Sequence, residues 1–114
     1  LNMKKEITYE DYSKIQILVG TVLKVTKNEK ARNPSLVVEV DFGKDIGIKQ
    51  SSAQITQLYK VNELIDTQVI AIVNFPKKQI ANFMSECLIL GVVNDKGVVL
   101  LRPDSKVDNG LKIS

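Results

Sequence analysis

With 114 residues, the chain is long enough for one domain that buries a core of its own. Hydrophobic residues make up 44% and charged residues 25%, which is typical of a globular protein and excludes a disordered or collagen-like chain. No apolar run approaches the roughly 20 residues that a membrane-spanning helix needs. The charged start, LNMKKEITYEDY, lacks the apolar centre of a signal peptide. We therefore predict a single domain over residues 1–114, without membrane insertion.

The one cysteine, Cys87, lies in an apolar run over residues 86–90 and cannot form an internal disulfide. Free cysteine usually packs as a small buried hydrophobe, and we predict that role here. A chain without disulfides favours a reducing compartment, so we expect a cytoplasmic protein.

Catalytic and metal-binding chemistry has little support in the composition. The chain contains no histidine, so it lacks the usual activator of a cysteine or serine nucleophile and the usual ligands of zinc. Asp41 and Asp45 flank a turn and are interpreted as solvated charges, while Gly43 and Gly47 match no phosphate-binding spacing. We predict that the protein is not an enzyme and binds no cofactor or metal.

The first predicted element is a short helix within an N-terminal extension of about residues 1–14. Thr8 followed by Asp11 matches a helix-start signal, and Tyr9, Tyr12 and Ile15 would share one face of that helix.

From residue 17 onwards the pattern indicates short strands. Residues 17–25 are rich in β-branched side chains, with Gly20 placed for a bulge or a tight bend. After a polar turn over residues 28–34, Leu36, Val38, Val40 and Phe42 alternate with Val37, Glu39 and Asp41, as in a half-buried strand. A turn over residues 43–47 leads to a short strand over residues 48–51.

The second half continues the same way. Residues 53–59 predict a brief helix that carries Ile55, Leu58 and Tyr59 inward. Residues 69–75 form a continuous apolar strand that Pro76 ends, and residues 84–93 and 98–101 are strands joined by a turn over residues 94–97. Short strands with little helix predict an all-β, small closed barrel, although periodicity alone does not distinguish an OB barrel from an SH3-like one.

Polar and basic residues collect near the predicted strand ends. Lys27, Lys30 and Arg32 fall in one turn, and Lys49, Gln50, Ser51 and Ser52 lie on one strand. A third group follows the apolar strand, with Phe75, Phe83 and Met84 between its polar members; it comprises Asn74, Lys77, Lys78, Gln79 and Asn82. Lysines can neutralise phosphates, and exposed aromatic rings can stack on bases or receive apolar side chains, so these groups indicate a binding surface and not a catalytic site.

Three of these segments resemble one family. Residues 47–56 (GIKQSSAQIT), 69–76 (VIAIVNFP) and 80–86 (IANFMSE) are similar to the CsaA family, whose members are stand-alone tRNA-binding domains linked to protein export. The same domain is appended to methionyl- and phenylalanyl-tRNA synthetases. The resemblance extends from about residue 12 to residue 112.

The resemblance implies a five-stranded OB-fold Greek-key barrel with short flanking helices, and a homodimer to which the chain ends contribute. It implies two partners, tRNA and unfolded or export-bound polypeptide; a nucleic-acid module without a chaperone role is the alternative. The implied tRNA- or peptide-binding residues are Lys49, Ser51, Ser52, Asn74, Phe75, Lys77, Lys78, Asn82, Met84 and Ser85. Ser85, together with Glu86, could instead hold the loop in place.

The chain departs from the family at positions that bear on its partner. Lys77, Lys78 and Gln79 occupy a loop where two arginines are common, and Met84 replaces a cation. Lysine does not reproduce the bidentate phosphate contacts of arginine, and methionine offers a soft apolar contact. These departures shift the expectation from tRNA towards polypeptide and leave both partners open.

Overall fold

A five-stranded antiparallel sheet, curled into a nearly closed barrel, is the centre of the computed structural model, which describes residues 2–30 and 32–114. The strands in chain order are β1 (Ile17–Lys27), β2 (Leu36–Asp41), β3 (Ile48–Ala53), β4 (Gln68–Ile72), β5 (Lys78–Ile80), β6 (Phe83–Ser85), β7 (Leu88–Ile89), β8 (Gly91–Asn94) and β9 (Gly97–Leu100). The helices are α1 (Tyr9–Ser13) and α2 (Val61–Leu64).

The strand order in the central sheet is β3-β2-β1-β4-β7. Three consecutive antiparallel strands are followed by a fourth that returns beside the first, which is the Greek-key arrangement. This topology confirms the predicted OB-fold barrel with short flanking helices.

Strand β1 is long because it pairs with two partners in succession. Its first half, residues 17–21, pairs with β4, and its second half, residues 21–27, pairs with β2. The predicted bulge is present, but it lies between Val22 and Lys24 and not at Gly20. The side of β1 that β2 leaves free is covered by the tail, since Val19 N donates to Leu111 O at 3.0 Å and Ile113 N donates to Ile17 O at 2.9 Å.

The barrel interior is filled by the apolar positions of alternating strands. On β2, Leu36, Val38 and Val40 are buried while the residues between them are half-buried, which confirms the predicted period. Phe42 and Val73 are also buried, as expected. Leu18 packs in the same core.

Helix α1 begins as the sequence predicts. Thr8 Oγ1 accepts from Asp11 N at 3.1 Å, and Asp11 Oδ2 accepts from Thr8 N at 3.2 Å, a reciprocal capping box. The turn over residues 94–97 also forms as predicted, between β8 and β9.

The helix predicted over residues 53–59 is wrong. Strand β3 continues to Ala53, which pairs with Leu36, and a turn follows before α2 begins at Val61. Leu58 is consequently exposed, whereas Ile55 is buried as expected. The pairing of β3 with β2 prevails over the weak local helical pattern, as tertiary context often does.

The apolar run over residues 69–75 and the long strand over residues 84–93 are both shorter in the structure. β4 ends at Ile72, and residues 83–94 form three short strands, because the chain turns at Glu86 and Cys87 to enter the barrel. Within residues 2–30 and 32–114, no helix has the length and apolarity needed to cross a membrane.

Gly20 marks the tightest packing of the barrel wall. A Cβ at this position would lie 2.8 Å from Phe42 Cδ1 and would also overlap the Val40 side chain. Only a residue without a side chain allows β1 to pass this close to β2.

We therefore expect Gly20→Ala to lower the free energy of unfolding by about 1–3 kcal/mol, the usual cost of overpacking a core. Urea denaturation measures the change. Val40→Ala makes room for the new methyl group, so the double variant should lose less stability than the sum of the two single losses. Additive losses would contradict the proposed clash.

Candidate binding surface

Strands β5 and β6 form a small hairpin where the sequence predicts a loop that follows residue 75 and a strand that begins only at residue 84. Its two-residue turn consists of Ala81 and Asn82, and Ala81 adopts a left-handed backbone conformation with φ of 53°. Because paired residues share a face, Lys78, Ile80 and Ser85 lie on one side of the hairpin, and Gln79 and Met84 on the other.

Four hydrogen bonds attach this hairpin to β3. Gln50 Nε2 donates to Met84 O at 3.1 Å, and Gln50 N donates to Glu86 Oε1 at 3.0 Å. Glu86 N donates to Gln50 O at 2.8 Å, and Ser52 N donates to Ser85 Oγ at 3.3 Å. Ser85 and Glu86 thus hold the hairpin against β3, which is the structural alternative that the sequence offers for them.

A groove of about 350 Å³ lies between the hairpin and the barrel, and we call it the hairpin groove. Aromatic, aliphatic, hydroxyl and charged side chains all line it; these are Ser52, Phe75, Pro76, Lys78, Ile80, Ser85, Glu86, Cys87 and Leu88. Phe75 is 51% exposed although it is a large aromatic residue. The groove thus offers apolar contact, hydroxyl groups and a lysine to a partner.

The two neighbouring lysines differ in their electrostatic surroundings. Lys77 Nζ lies 3.5 Å from Glu86 Oε2, so a carboxylate partly compensates its charge. Lys78 has no such partner among residues 2–30 and 32–114, and it is exposed. Lys78 is therefore the cation of the groove that is available to an anionic ligand.

The hairpin groove brings together four of the predicted site residues: Ser52, Phe75, Lys78 and Ser85. Lys77 lies next to the groove, because it forms an ion pair with Glu86, which lines the groove. Asn82 is exposed at the hairpin turn. Met84 is 39% exposed on the hairpin face that is opposite the groove-lining face.

The other three predicted site residues, Lys49, Ser51 and Asn74, do not line the hairpin groove. Ser51 is only 2% exposed, and its Oγ donates to Cys87 O at 2.9 Å, so it does not reach the surface. Lys49 shares the barrel-facing side of β3 with Ser51. Asn74 Oδ1 accepts from Gln16 N at 2.8 Å, and Asn74 Nδ2 donates to Lys14 O at 2.7 Å. Both ends of the Asn74 amide therefore hold the segment that precedes β1.

Cys87 is buried beneath the groove, as the sequence predicts. Burial, followed by the negative charge of Glu86, raises the pKa of its thiol from 9.0 to about 11, although Lys49 and the Ser51 hydroxyl act in the opposite direction. The thiol is therefore protonated near neutral pH and is a poor nucleophile.

Sequence reasoning did not identify Ile80 and Leu88 as groove residues, or Gln50 as the residue that ties the hairpin to β3. Residues 78–83 (KQIANF) do not alternate between polar and apolar side chains, so periodicity gave no signal for a hairpin face carrying Ile80. Within the part of the chain that the structure describes, no three His, Cys, Asp or Glu side chains come together as possible metal ligands.

Comparison with known proteins places these elements in a family context. The tRNA binding domain family model matches residues 17–112, a span that includes the whole barrel and the hairpin. A methionine–tRNA ligase of Pyrococcus horikoshii is 29% identical over 107 residues, which are 94% of this chain and 14% of the ligase. The chain thus spans about one seventh of the length of this relative.

Two solved structures resemble the whole fold. The CsaA chaperone protein of Picrophilus torridus is 50% identical with a TM-score of 0.91, and the match covers 96% of this chain and 100% of that one. The chaperone CsaA of Bacillus anthracis is 44% identical with the same TM-score and the same coverage.

Proposed function

This chain belongs to the tRNA-binding domain family, and we propose that it is a non-catalytic binding module that holds tRNA at the hairpin groove. The observation that carries the proposal is that the family match includes a groove with an uncompensated lysine, Lys78, beside an exposed aromatic ring, Phe75. Lysine neutralises backbone phosphate, and the ring supplies a stacking surface for a base. OB-fold barrels commonly bind oligonucleotides through adjoining strands and loops.

The net charge supports an anionic partner. Sixteen lysine and arginine residues exceed thirteen aspartate and glutamate residues, a net charge of +3. This excess is modest, so binding depends on where the cations lie more than on their number. Binding of tRNA also implies a cytoplasmic location.

We expect the logarithm of tRNA affinity to fall linearly with the logarithm of salt concentration, because phosphate neutralisation releases counterions. Replacing Lys78 by glutamine should weaken binding and reduce the magnitude of this negative slope by about one. Gel-shift titrations at several salt concentrations provide the measurement.

The matched control is Lys96→Gln, which removes another exposed lysine from the turn between β8 and β9. This variant should retain the slope of the original protein. Absence of any tRNA complex at low salt would rule out the proposal.

Capture of unfolded or export-bound polypeptide is the second candidate function. The specific observations are the apolar surface of the groove, formed by Phe75, Ile80 and Leu88, and the 50% identity to a protein described as a CsaA chaperone. An apolar groove flanked by hydroxyl groups suits side chains of variable sequence, and this binding should depend only weakly on salt.

We expect excess protein to suppress the aggregation of a urea-unfolded client after dilution, and Phe75→Ala to reduce that suppression, because it removes the largest exposed apolar surface of the groove. Light scattering follows the aggregation. Met84→Gln is the control, since Met84 lies on the opposite face of the hairpin. Equal suppression by Phe75→Ala and the original protein would show that the groove is not the capture site.

The proposal includes a homodimer of single-domain chains in which the N-terminal extension, residues 1–14, takes part. Three apolar residues of the extension are strongly exposed: Met3 at 95%, Ile7 at 69% and Tyr9 at 78%. Tyr9 and Tyr12 line a cleft of about 430 Å³ together with Lys112 and Ile113, so the two ends of the described chain meet at one surface. Apolar exposure of this extent is typical of an interface.

Light scattering should therefore give twice the 12.7 kDa mass of one chain. Ile7→Asp should shift the mass towards one chain, because a carboxylate buried in an interface loses its hydration. Ile65→Asp, at an exposed apolar position next to α2, is the control and should leave the mass unchanged. A mass of one chain for the original protein at high concentration would contradict the dimer.

A further inference from the structure

Residues 107–113, which we call the tail, contain the one Asn–Gly pair of the sequence, Asn109–Gly110. Asparagine deamidates most readily when glycine follows it, because glycine has no side chain to shield its backbone nitrogen from the neighbouring carboxamide. The same two residues lie where the tail meets β1, so the reactivity of the pair depends on the attachment of the tail.

Glycine is required at position 110 by the packing of the tail. The φ of Gly110 is 89°, in the left-handed region. A Cβ at this position would lie 2.5 Å from Phe42 O, a backbone atom that has little freedom to move aside. The reactive backbone nitrogen of glycine is therefore a consequence of how closely the tail approaches the barrel.

The side chain of Asn109 anchors the tail through its oxygen. Asn109 Oδ1 accepts from Thr21 Oγ1 at 2.7 Å and from Gln68 Nε2 at 3.3 Å. Gln68 also binds the backbone of Val107, since Gln68 Nε2 donates to Val107 O at 2.7 Å and Gln68 Oε1 accepts from Val107 N at 3.1 Å. These contacts fix the carboxamide of Asn109 against the barrel while the tail is attached.

The backbone nitrogen that would attack this carboxamide is also occupied. Gly110 N donates to Val19 O at 2.8 Å. Deamidation requires this nitrogen to lose its proton, and an amide that is hydrogen-bonded in a folded structure reacts with base only when the structure opens locally. The attached tail therefore protects Asn109, and a detached tail exposes it.

The reaction balances with water as its one co-reactant. A bond forms between Gly110 N and Asn109 Cγ, the bond between Asn109 Cγ and Nδ2 breaks, and ammonia leaves with the proton from Gly110 N. Water then opens the succinimide ring. Opening at the side-chain carbonyl gives aspartate, and opening at the backbone carbonyl gives isoaspartate, in which the main chain runs through Cβ and Cγ.

Isoaspartate at position 109 changes the register of the tail. It adds one methylene carbon to the backbone and brings into the main chain the carbonyl carbon whose oxygen Thr21 binds. The bonds from Val19 N to Leu111 O and from Ile113 N to Ile17 O lie beyond the inserted carbon and depend on the original spacing. The product is therefore unable to restore the Thr21 contact and the pairing with β1 together.

We propose that Asn109 is a site of spontaneous deamidation, that detachment of the tail from β1 controls its rate, and that the isoaspartate product keeps the tail detached. Each detachment exposes the Asn–Gly pair, and its conversion to isoaspartate prevents reattachment. The site is independent of the proposed binding of tRNA or polypeptide.

The first test compares the rate of deamidation of the full chain at mildly alkaline pH with and without denaturing urea. Peptide mass spectrometry after chromatography separates asparagine, aspartate and isoaspartate at position 109. The folded protein should react at least about tenfold more slowly than the unfolded one, because only the open fraction reacts. Equal rates in both conditions would overturn the proposal.

Thr21→Val removes one hydrogen bond to the tail and should accelerate deamidation of the folded protein about fivefold. It should leave the rate in urea unchanged. The matched control is Thr26→Val, at an exposed position of the same strand, which should change neither rate. Slower deamidation in folded Thr21→Val would show that the reaction occurs in the attached tail, with the hydroxyl polarising the carboxamide, and would contradict control by detachment.

Hydrogen exchange at the amides of Val19 and Ile113, which both bond across the tail and β1, measures detachment directly. These amides should exchange faster than those of β2. Exchange as slow as in β2 would show that the tail opens only with the whole barrel, and would overturn the proposal.

Asn109→Asp is the control for the product, because a carboxylate still accepts from Thr21 and Gln68. This variant should retain the protection of Val19, whereas the purified isoaspartate form should lose it. An isoaspartate form that protects Val19 as well as the original protein does would show that the tail reattaches, and the proposed effect of the product would be wrong.

Discussion

The connection between β3 and the chain at Glu86 and Cys87 closes the barrel, and the rest of the structure depends on it. Gln50 and Glu86 exchange hydrogen bonds through backbone and side chain, and the buried Ser51 hydroxyl satisfies Cys87 O. Without these bonds β3 would present an unpaired strand edge, which is a template for association with other chains. A few polar residues therefore complete a barrel whose stability otherwise comes from apolar burial.

The same connection also sets the position of the candidate binding surface. One side of β3 faces the core, while Ser52 on its other side lines the hairpin groove. Because Gln50 fixes the backbone of Met84, the hairpin is attached to the barrel on the side where Phe75 and Lys78 are exposed. A surface built on a strand and a tethered hairpin is more rigid than a free loop, and rigidity reduces the entropy lost when a flexible partner binds.

Much of the barrel follows from local patterns, whereas the functions of polar residues do not. The alternation along β2, the Thr8–Asp11 capping box and the turn over residues 94–97 each depend on neighbours in the sequence, and each was predictable. Resemblance to a family was needed to choose an OB barrel among small barrels. Residues 53–59 were misjudged because the pairing of Ala53 with Leu36 joins residues far apart in the chain.

In the candidate site, too, the sequence does not predict the role of each polar residue. Ser51 and Ser52 are adjacent and chemically identical, yet one closes the barrel and the other lines the groove. Asn74 looks like a ligand-binding amide in the sequence, but its two ends bond Gln16 and Lys14. Hydrogen-bonding capacity is a property of the residue type, while the partner is chosen by the tertiary structure.

The pairing of the tail with β1 has a consequence for how the protein forms during synthesis. Residues 17–19 emerge from the ribosome before residues 110–113, to which the backbone groups of Val19 and Ile17 bond. One edge of the first half of β1 therefore stays unpaired while the strands from β2 to β9 are synthesised. Such contacts of high sequence separation slow folding, and a nascent barrel with an open edge is a target for early pairing with neighbouring nascent chains.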